Sequence, residues 1–273
     1  MKTAQNNHVR RRAIAAAFTT VTAVTALLGA QAARAQETLT GLTVVGGSVN
    51  FLFNFNSNTP GTFTNFTQVT GLDAGFVLED IDYRPTVTPG LNGVLYGLGK
   101  STVGGSTSLR LYTIGTNGAI LSSIGLTAAT GGQSTTALAF QNANYSIDFN
   151  PAANALRIVN DAGGDYRIGT ANLVPGSANA GSTFTDLQLS LNGVTPTTGI
   201  LGAAYTNNFG GAPTTTLYEV SYTNNNDSLY LQNPPNNGIL AAVGTTLGVD
   251  LPLGGFDISG VTGNAYYGGG NTF

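Results

Sequence analysis

The chain has 273 residues, with ten Lys and Arg against thirteen Asp and Glu, one histidine, and no cysteine or tryptophan. Five of the cations and the histidine lie in the first 35 residues, so residues 36–273 carry five cations against thirteen acids, a net charge of −8. Without an imidazole or a thiol, that stretch excludes Ser-His-Asp and Cys-His catalysis, His- or Cys-built zinc and copper sites, and disulfide staples, and its few cations make no face for nucleic acid.

In chain order, Arg10, Arg11 and Arg12 precede an apolar stretch from Ala13 to Leu28, and Ala33-Arg34-Ala35 closes the segment. A basic start, a short apolar run and an A-x-A signal read as a secretory signal peptide over 1–35, cut before Gln36. Four threonines interrupt the apolar run, which sets it apart from a membrane anchor. Arg11-Arg12 suits either general or twin-arginine export. The expectation is a secreted or periplasmic protein with a single domain over 36–273.

Beyond Gln36 no stretch keeps a 3.6-residue apolar period, and short β-rich runs recur between Gly, Asn, Asp and Pro. They include VNFLFNF (49–55), FTQV (66–69), GVLYGLG (93–99), LRLYTI (109–114), YSIDF (145–149), ALRIV (155–159), TTTLYEVSY (214–222), SLYLQ (228–232) and GFDIS (255–259). Turns read TNG (116–118), NDAGGD (160–165), TNNND (223–227) and SGVTGN (259–264). The fold class is all-β.

An internal repeat organises these runs. IDYRP (81–85) leads through a turn to VLYGLG (94–99), and IDFNP (147–151) leads to ALRIV (155–159). GAAYTNN (202–208) precedes TTTLYEV (214–220), and GFDIS precedes NAYYG (264–268). One slot is filled in turn by Asp82, Asp148, Ala204 and Asp257, with steps of 66, 56 and 53 residues. Units of that length hold about four strands and predict a β-propeller-like ring of about five blades of short antiparallel strands. Pro85 and Pro151 close the innermost strands, because proline cannot donate to a ladder.

The ordered set IDYRP, LYGLG, LYTI, SIDFNP, LRIVND, YRI, AAYTNN, TTTLYEV, LQNPPNNGIL, VGTTLGVD and GFDIS resembles a family of secreted bacterial proteins known as domain-of-unknown-function family 4394. The resemblance runs from about Leu52 to Tyr267 and implies a propeller-like fold with no established activity. Two departures stand out. PAANA (151–155) replaces the family's aspartate-rich turn, and no further LYT-type strand pair follows GFDIS before Phe273. The last blade is then either incomplete or closed by the N-terminal strand.

Asp82, Asp148 and Asp257 are the first site candidates. Converging carboxylates bind a hard cation such as calcium or serve as a general base, whereas carboxylates that each hold their own turn are structural. Repetition of the slot favours the second reading. Arg84 and Arg157, with Arg167, either capture an anionic ligand or pair inside the fold, Arg157 with Asp148 and Arg84 with Asp80 or Asp82. NDAGGD lacks the spacing of a calcium loop and reads as a hairpin turn on Gly163-Gly164. LQNPPNNGIL (231–240) offers amides for a glycan or peptide, or simply connects two strands. Tyr83, Tyr96, Tyr112, Tyr205, Tyr218 and Tyr230 recur within the repeat and count as core.

Three functions follow. The first is an exported, non-catalytic binding or structural domain, with an extracellular or periplasmic protein or a glycan as partner and no cofactor. The second is a carboxylate- or metal-dependent hydrolase or lyase, which requires Asp82, Asp148 and Asp257 to meet in a pocket. The third is an outer-membrane barrel, suggested by the terminal Phe of NAYYGGGNTF; the alternation it needs over ten-residue segments is absent, and the chain is not expected to be an integral membrane protein.

Overall fold

The computed structural model describes residues 36–88, 90, 93–222 and 227–270. The signal peptide expected over 1–35, most of TNNND and the terminal Phe273 lie outside them. Among the described residues there are twenty strands and two short 3-10 turns. The first three, β1 (Thr38–Val45), β2 (Val49–Asn56) and β3 (Thr59–Gln68), form one sheet. Blade 1 is β4 (Val77–Arg84), β5 (Val94–Val103), β6 (Ser106–Ile114) and β7 (Ile120–Gly125), paired in that order. Next come β8 (Thr127–Ala129), β9 (Tyr145–Asn150), β10 (Ala155–Asn160), β11 (Asp165–Ile168) and β12 (Ser182–Thr185), the five strands of blade 2. Blade 3 has six: β13 (Ser190–Leu191), β14 (Thr195–Pro196), β15 (Ile200–Tyr205), β16 (Leu217–Ser221), β17 (Leu229–Gln232) and β18 (Ile239–Val243). Blade 4 is the pair β19 (Gly254–Ile258) and β20 (Ala265–Gly269).

The inner strands β4, β9, β15 and β19 stand side by side, one per blade. β9 and β15 are almost wholly buried, which is why YSIDFN and ILGAAY read as continuous rather than alternating apolar runs. β4 and β9 stop at Arg84 and Asn150, immediately before the two prolines. After Pro151 the Asn150 side chain accepts the N–H groups of Ala152 and Ala153, and that local turn sends the chain outward into β10. Gly104 and Gly105, both at positive φ, make the two-residue hairpin between β5 and β6.

The ring has four blades, not five. The strands β1–β3 form an extra sheet whose Leu42 and Leu52 pack on the blade 1 core of Leu78, Leu95, Tyr112 and Ile114. The N-terminal strand pairs with β2 alone, so it does not complete the last blade, which has two strands among the described residues. The reason is in the repeat: the unit at 47–69 has the strand-turn-strand style but no residue in the Asp82 slot, and no strand of it lines the ring. Between blades 1 and 2 the core holds Tyr96, Leu98, Leu111, Ile147, Phe149, Leu156 and Ile158. The blade 3–4 core holds Ala204, Val220, Leu251, Phe256, Ile258 and Tyr267.

Candidate functional site

Two sets of residues stand two apart on each inner strand. The first is Asp80, Ser146, Gly202 and Gly255; the second is Asp82, Asp148, Ala204 and Asp257. Each acceptor in the first two blades reaches across to the backbone of the next blade. Asp80 Oδ2 accepts Ile147 N–H at 2.9 Å and the Ser146 hydroxyl at 2.8 Å. Ser146 Oγ in turn accepts Ala203 N–H at 3.2 Å. Asp82 Oδ2 accepts Phe149 N–H at 2.7 Å, and Asp148 Oδ1 accepts Tyr205 N–H at 3.1 Å. These bonds are latches from blade 1 to blade 2 and from blade 2 to blade 3. A hydrogen bond of this kind contributes about 0.5–1.5 kcal/mol.

The series stops at blade 3, where Gly202 and Ala204 have no acceptor to offer. There the joint is apolar: Phe256 and Val220 press so closely that a Cβ on Gly202 would meet either at 2.8 Å. Blade 4 does not latch back on blade 1. Asp257 takes the N–H of Ile258 in its own strand and a bond from Asn208, and its Oδ1 is shielded without a partner.

Burial raises all of these carboxyls above the usual range. Asp80 is pushed up to about 6. Asp82 and Asp148 are raised well above it, first by burial and then by their charged neighbours: Asp257 and Asp80 act on Asp82, and Asp82, Asp257 and Asp80 act on Asp148. The three sequence candidates are therefore buried within reach of one another's charge. The expected partners in their own turns are replaced, for Asp82 and Asp148, by the N–H groups of the next blade. No group of three Asp, Glu, His or Cys side chains among the described residues is arranged to hold a metal ion. Two surface hollows, of about 360 Å³ (Ser48, Gln68, Asp73 and Phe76 among its walls) and about 290 Å³ (Ser134, Thr136, Thr185 and Asp186 among its walls), are lined by none of the three.

The arginines follow neither pairing read from the sequence. Arg157 stands opposite Asp148 in the ladder, yet its guanidinium turns into the joint between blades 2 and 3. There Nη1 pairs with Asp165 at 2.6 Å and Asp186 at 2.9 Å, and Nη2 donates to Asn236 at 2.7 Å. Arg167 shares Asp186. Arg84 is buried without a carboxylate: Nε donates to Asn154 at 2.8 Å, Nη1 donates to Tyr96 at 3.2 Å, and Nη2 has no partner. The rings of Tyr96 and Phe149 lie 6.0 and 5.7 Å from it, so aromatic faces stand where an acid was expected.

NDAGGD is a hairpin turn, with Asn160 Oδ1 accepting the N–H of Ala162 and Gly164. Its Asp161 fastens Asn144 and Tyr222, and its Asp165 belongs to the Arg157 cluster. LQNPPNNGIL is the β17–β18 connection, and its Asn236 and Gln232 face that same cluster. Tyr96, Tyr112 and Tyr205 are core, whereas Tyr83 is exposed.

Sequence reasoning missed Asp80 and Ser146 as latches, although their spacing two residues before each repeated slot is visible. It also missed Glu219, which is fully buried on β16 with neither carboxylate oxygen bonded. Burial, with Asp165 adding to it and Arg157 opposing, raises Glu219 well above the ordinary glutamate value. No helix among the described residues is long and apolar enough to cross a membrane.

The family described as Domain of unknown function (DUF4394) matches residues 51–271, and the chain belongs to it. A comparison with curated proteins finds no match.

Proposed function

We propose that this member of the family is an exported binding or structural domain that does no chemistry of its own. The observation that supports it best is the use of the axis carboxylates. In Asp82 and Asp148, the groups a hydrolase would need hold one blade to the next through backbone N–H groups. The only histidine of the chain, His8, falls in the expected signal peptide. The signal peptide expected over 1–35 supports a domain in the periplasm or outside the cell, where its partner would be a protein or a glycan.

The test is an assay of the purified protein on chromogenic ester, glycoside and phosphoester substrates, in EDTA and then in calcium. The expected result is no turnover in either condition, with Asp82→Asn and Asp148→Asn changing stability alone. Turnover that either variant abolishes while melting is unchanged would overturn the reading. A second reading, a calcium ion at the axis, is favoured by the unpartnered Asp257 Oδ1. A calcium-dependent rise in melting temperature, absent in Asp257→Asn, would establish it.

A further inference from the structure

We propose that the end of the ring where the four inner strands finish is a self-association surface, through which two copies of this chain dock end to end. Thr86 and Val87 after β4, Asn208 to Gly211 after β15 and Gly260 after β19 are packed directly on one another. A Cβ at Gly210 would meet the Thr86 carbonyl carbon at 2.7 Å, and one at Gly260 would collide with the Asn208 carbonyl oxygen. The β9 turn joins them from below through Asn154, which accepts from Arg84 Nε. Each of the three packed turns carries a large apolar side chain into solvent. Val87 is 76% exposed, Phe209 47% and Val261 86%. They come from blades 1, 3 and 4, so the patch spans the axis rather than decorating one blade.

Charge sets this end apart. The segments 85–88, 151–154, 206–216 and 259–264 contain no Asp, Glu, Lys or Arg. The carboxylates that reach them are spent within the chain: Glu37 on the hydroxyls of Ser259, Thr262 and Tyr266, and Asp257 on Asn208. At the opposite end, the loops between β10 and β11 and between β18 and β19 carry Asp161 and Asp250, while Asp227 between β16 and β17 is buried and accepts the Leu251 N–H. Two copies of an acidic chain repel each other wherever acids face, and they approach without that penalty only through an uncharged end. A charged partner finds nothing to pair with there, whereas a second copy supplies a matching neutral, apolar face. A two-fold contact makes the patch meet itself, so one surface suffices. Exposed apolar residues occur elsewhere, such as Val103 and Val194, at 75% and 82%, but each stands on its own hairpin turn.

Sedimentation of the purified protein from about 1 to about 300 µM tests the proposal, since that range covers weak association. The expected result is a shift from the mass of one chain to that of two, strengthened by added salt as repulsion between the acidic bodies is screened. Val261→Lys and Phe209→Lys should each hold the protein at one chain with melting unchanged, and Val103→Lys and Val194→Lys should leave the dimer intact. Val87→Lys is the reserve should Phe209→Lys fold poorly. One-chain mass at every concentration and salt would overturn the proposal. So would a dimer that survives Val261→Lys and Val87→Lys, or one that Val103→Lys removes equally well.

Discussion

The joint between blades 2 and 3 and the joint between blades 3 and 4 solve one problem with opposite chemistry. The first is polar to its centre. Asp148 and Ser146 latch β15, and behind them Arg157 gathers Asp165, Asp186, Asn236 and Tyr205. The second has Gly202 and Ala204 at the latch positions and fills the space with Phe256, Val220, Ile258 and Tyr267. Register is set by hydrogen bonds in one case and by shape in the other. The cost differs too. A polar joint buries charges that must stay paired, and an apolar joint has none to lose. The repeat slot is thus a position facing the next blade, and a carboxylate or a methyl group serves it according to what that blade presents.

The largest expected effect breaks the polar joint at its hub. Arg157→Met leaves Asp165 and Asp186 buried, with only the half-exposed Arg167 near Asp186. Removing one partner of a buried pair costs about 3–5 kcal/mol, which for a chain of this size lowers the melting temperature by on the order of 10 °C. Calorimetry of the variant reads the loss directly. A drop of under about 1 kcal/mol would show that the cluster contributes no more than an exposed ion pair.

A smaller effect tests the latch itself. Asp148→Ala leaves the Tyr205 N–H without an acceptor and should cost about 1–3 kcal/mol. Asp148→Asn keeps an amide oxygen in the same place and removes a charge that Asp82 and Asp257 repel. It should therefore cost less than the alanine variant, and above neutral pH it should cost least. Chemical denaturation of both variants at pH 5 and pH 8 separates the lost bond from the relieved repulsion. Equal losses at both pH values would mean that the axis charges do not sense one another.

How far this was legible in the sequence depends on what a repeat encodes. Pro85, Pro151 and the slot residues marked the inner strands, because closing a strand and facing the next blade are local requirements that recur with each unit. The blade count was not legible. The β1–β3 unit has strand-like residues throughout, and only its packing on Leu78 and Tyr112 shows that it covers a blade instead of forming one. The partners of Arg84 and Arg157 were not legible either. Ladder position names the residue opposite, while a long guanidinium turns to wherever burial leaves acceptors. Asn236 lies 79 residues from Arg157, and no spacing rule connects them. Glu219 sits in TTTLYEV as one polar residue in an alternating strand, which ordinarily faces water; its burial follows from blade 2 lying over that face.

The smallest change, and the only gain, is expected at Glu219. It faces Ala203 on β15 and Tyr230 on β17, and across the joint Asp165 on β11 and Arg157 on β10. Its raised affinity for a proton means that the folded chain holds that proton where the unfolded chain has released it. Asp80, pushed up to about 6, behaves the same way, as do Asp82 and Asp148. For such groups stability is greatest below the unfolded carboxylate range and is lost as pH rises through the folded values. Melting temperature should therefore fall from pH 5 to pH 8. Glu219→Gln keeps the shape and removes the ionisation, so it should melt higher than the parent at pH 8 and match it near pH 4, flattening the slope. The apolar joint offers the control: Phe256→Leu changes packing alone and should lower melting equally at both ends of the range. A Glu219→Gln variant that melts below the parent at pH 8 would mean that the carboxylate is ionised in the fold, and the polar joint would then hold its charges in balance without a bound proton.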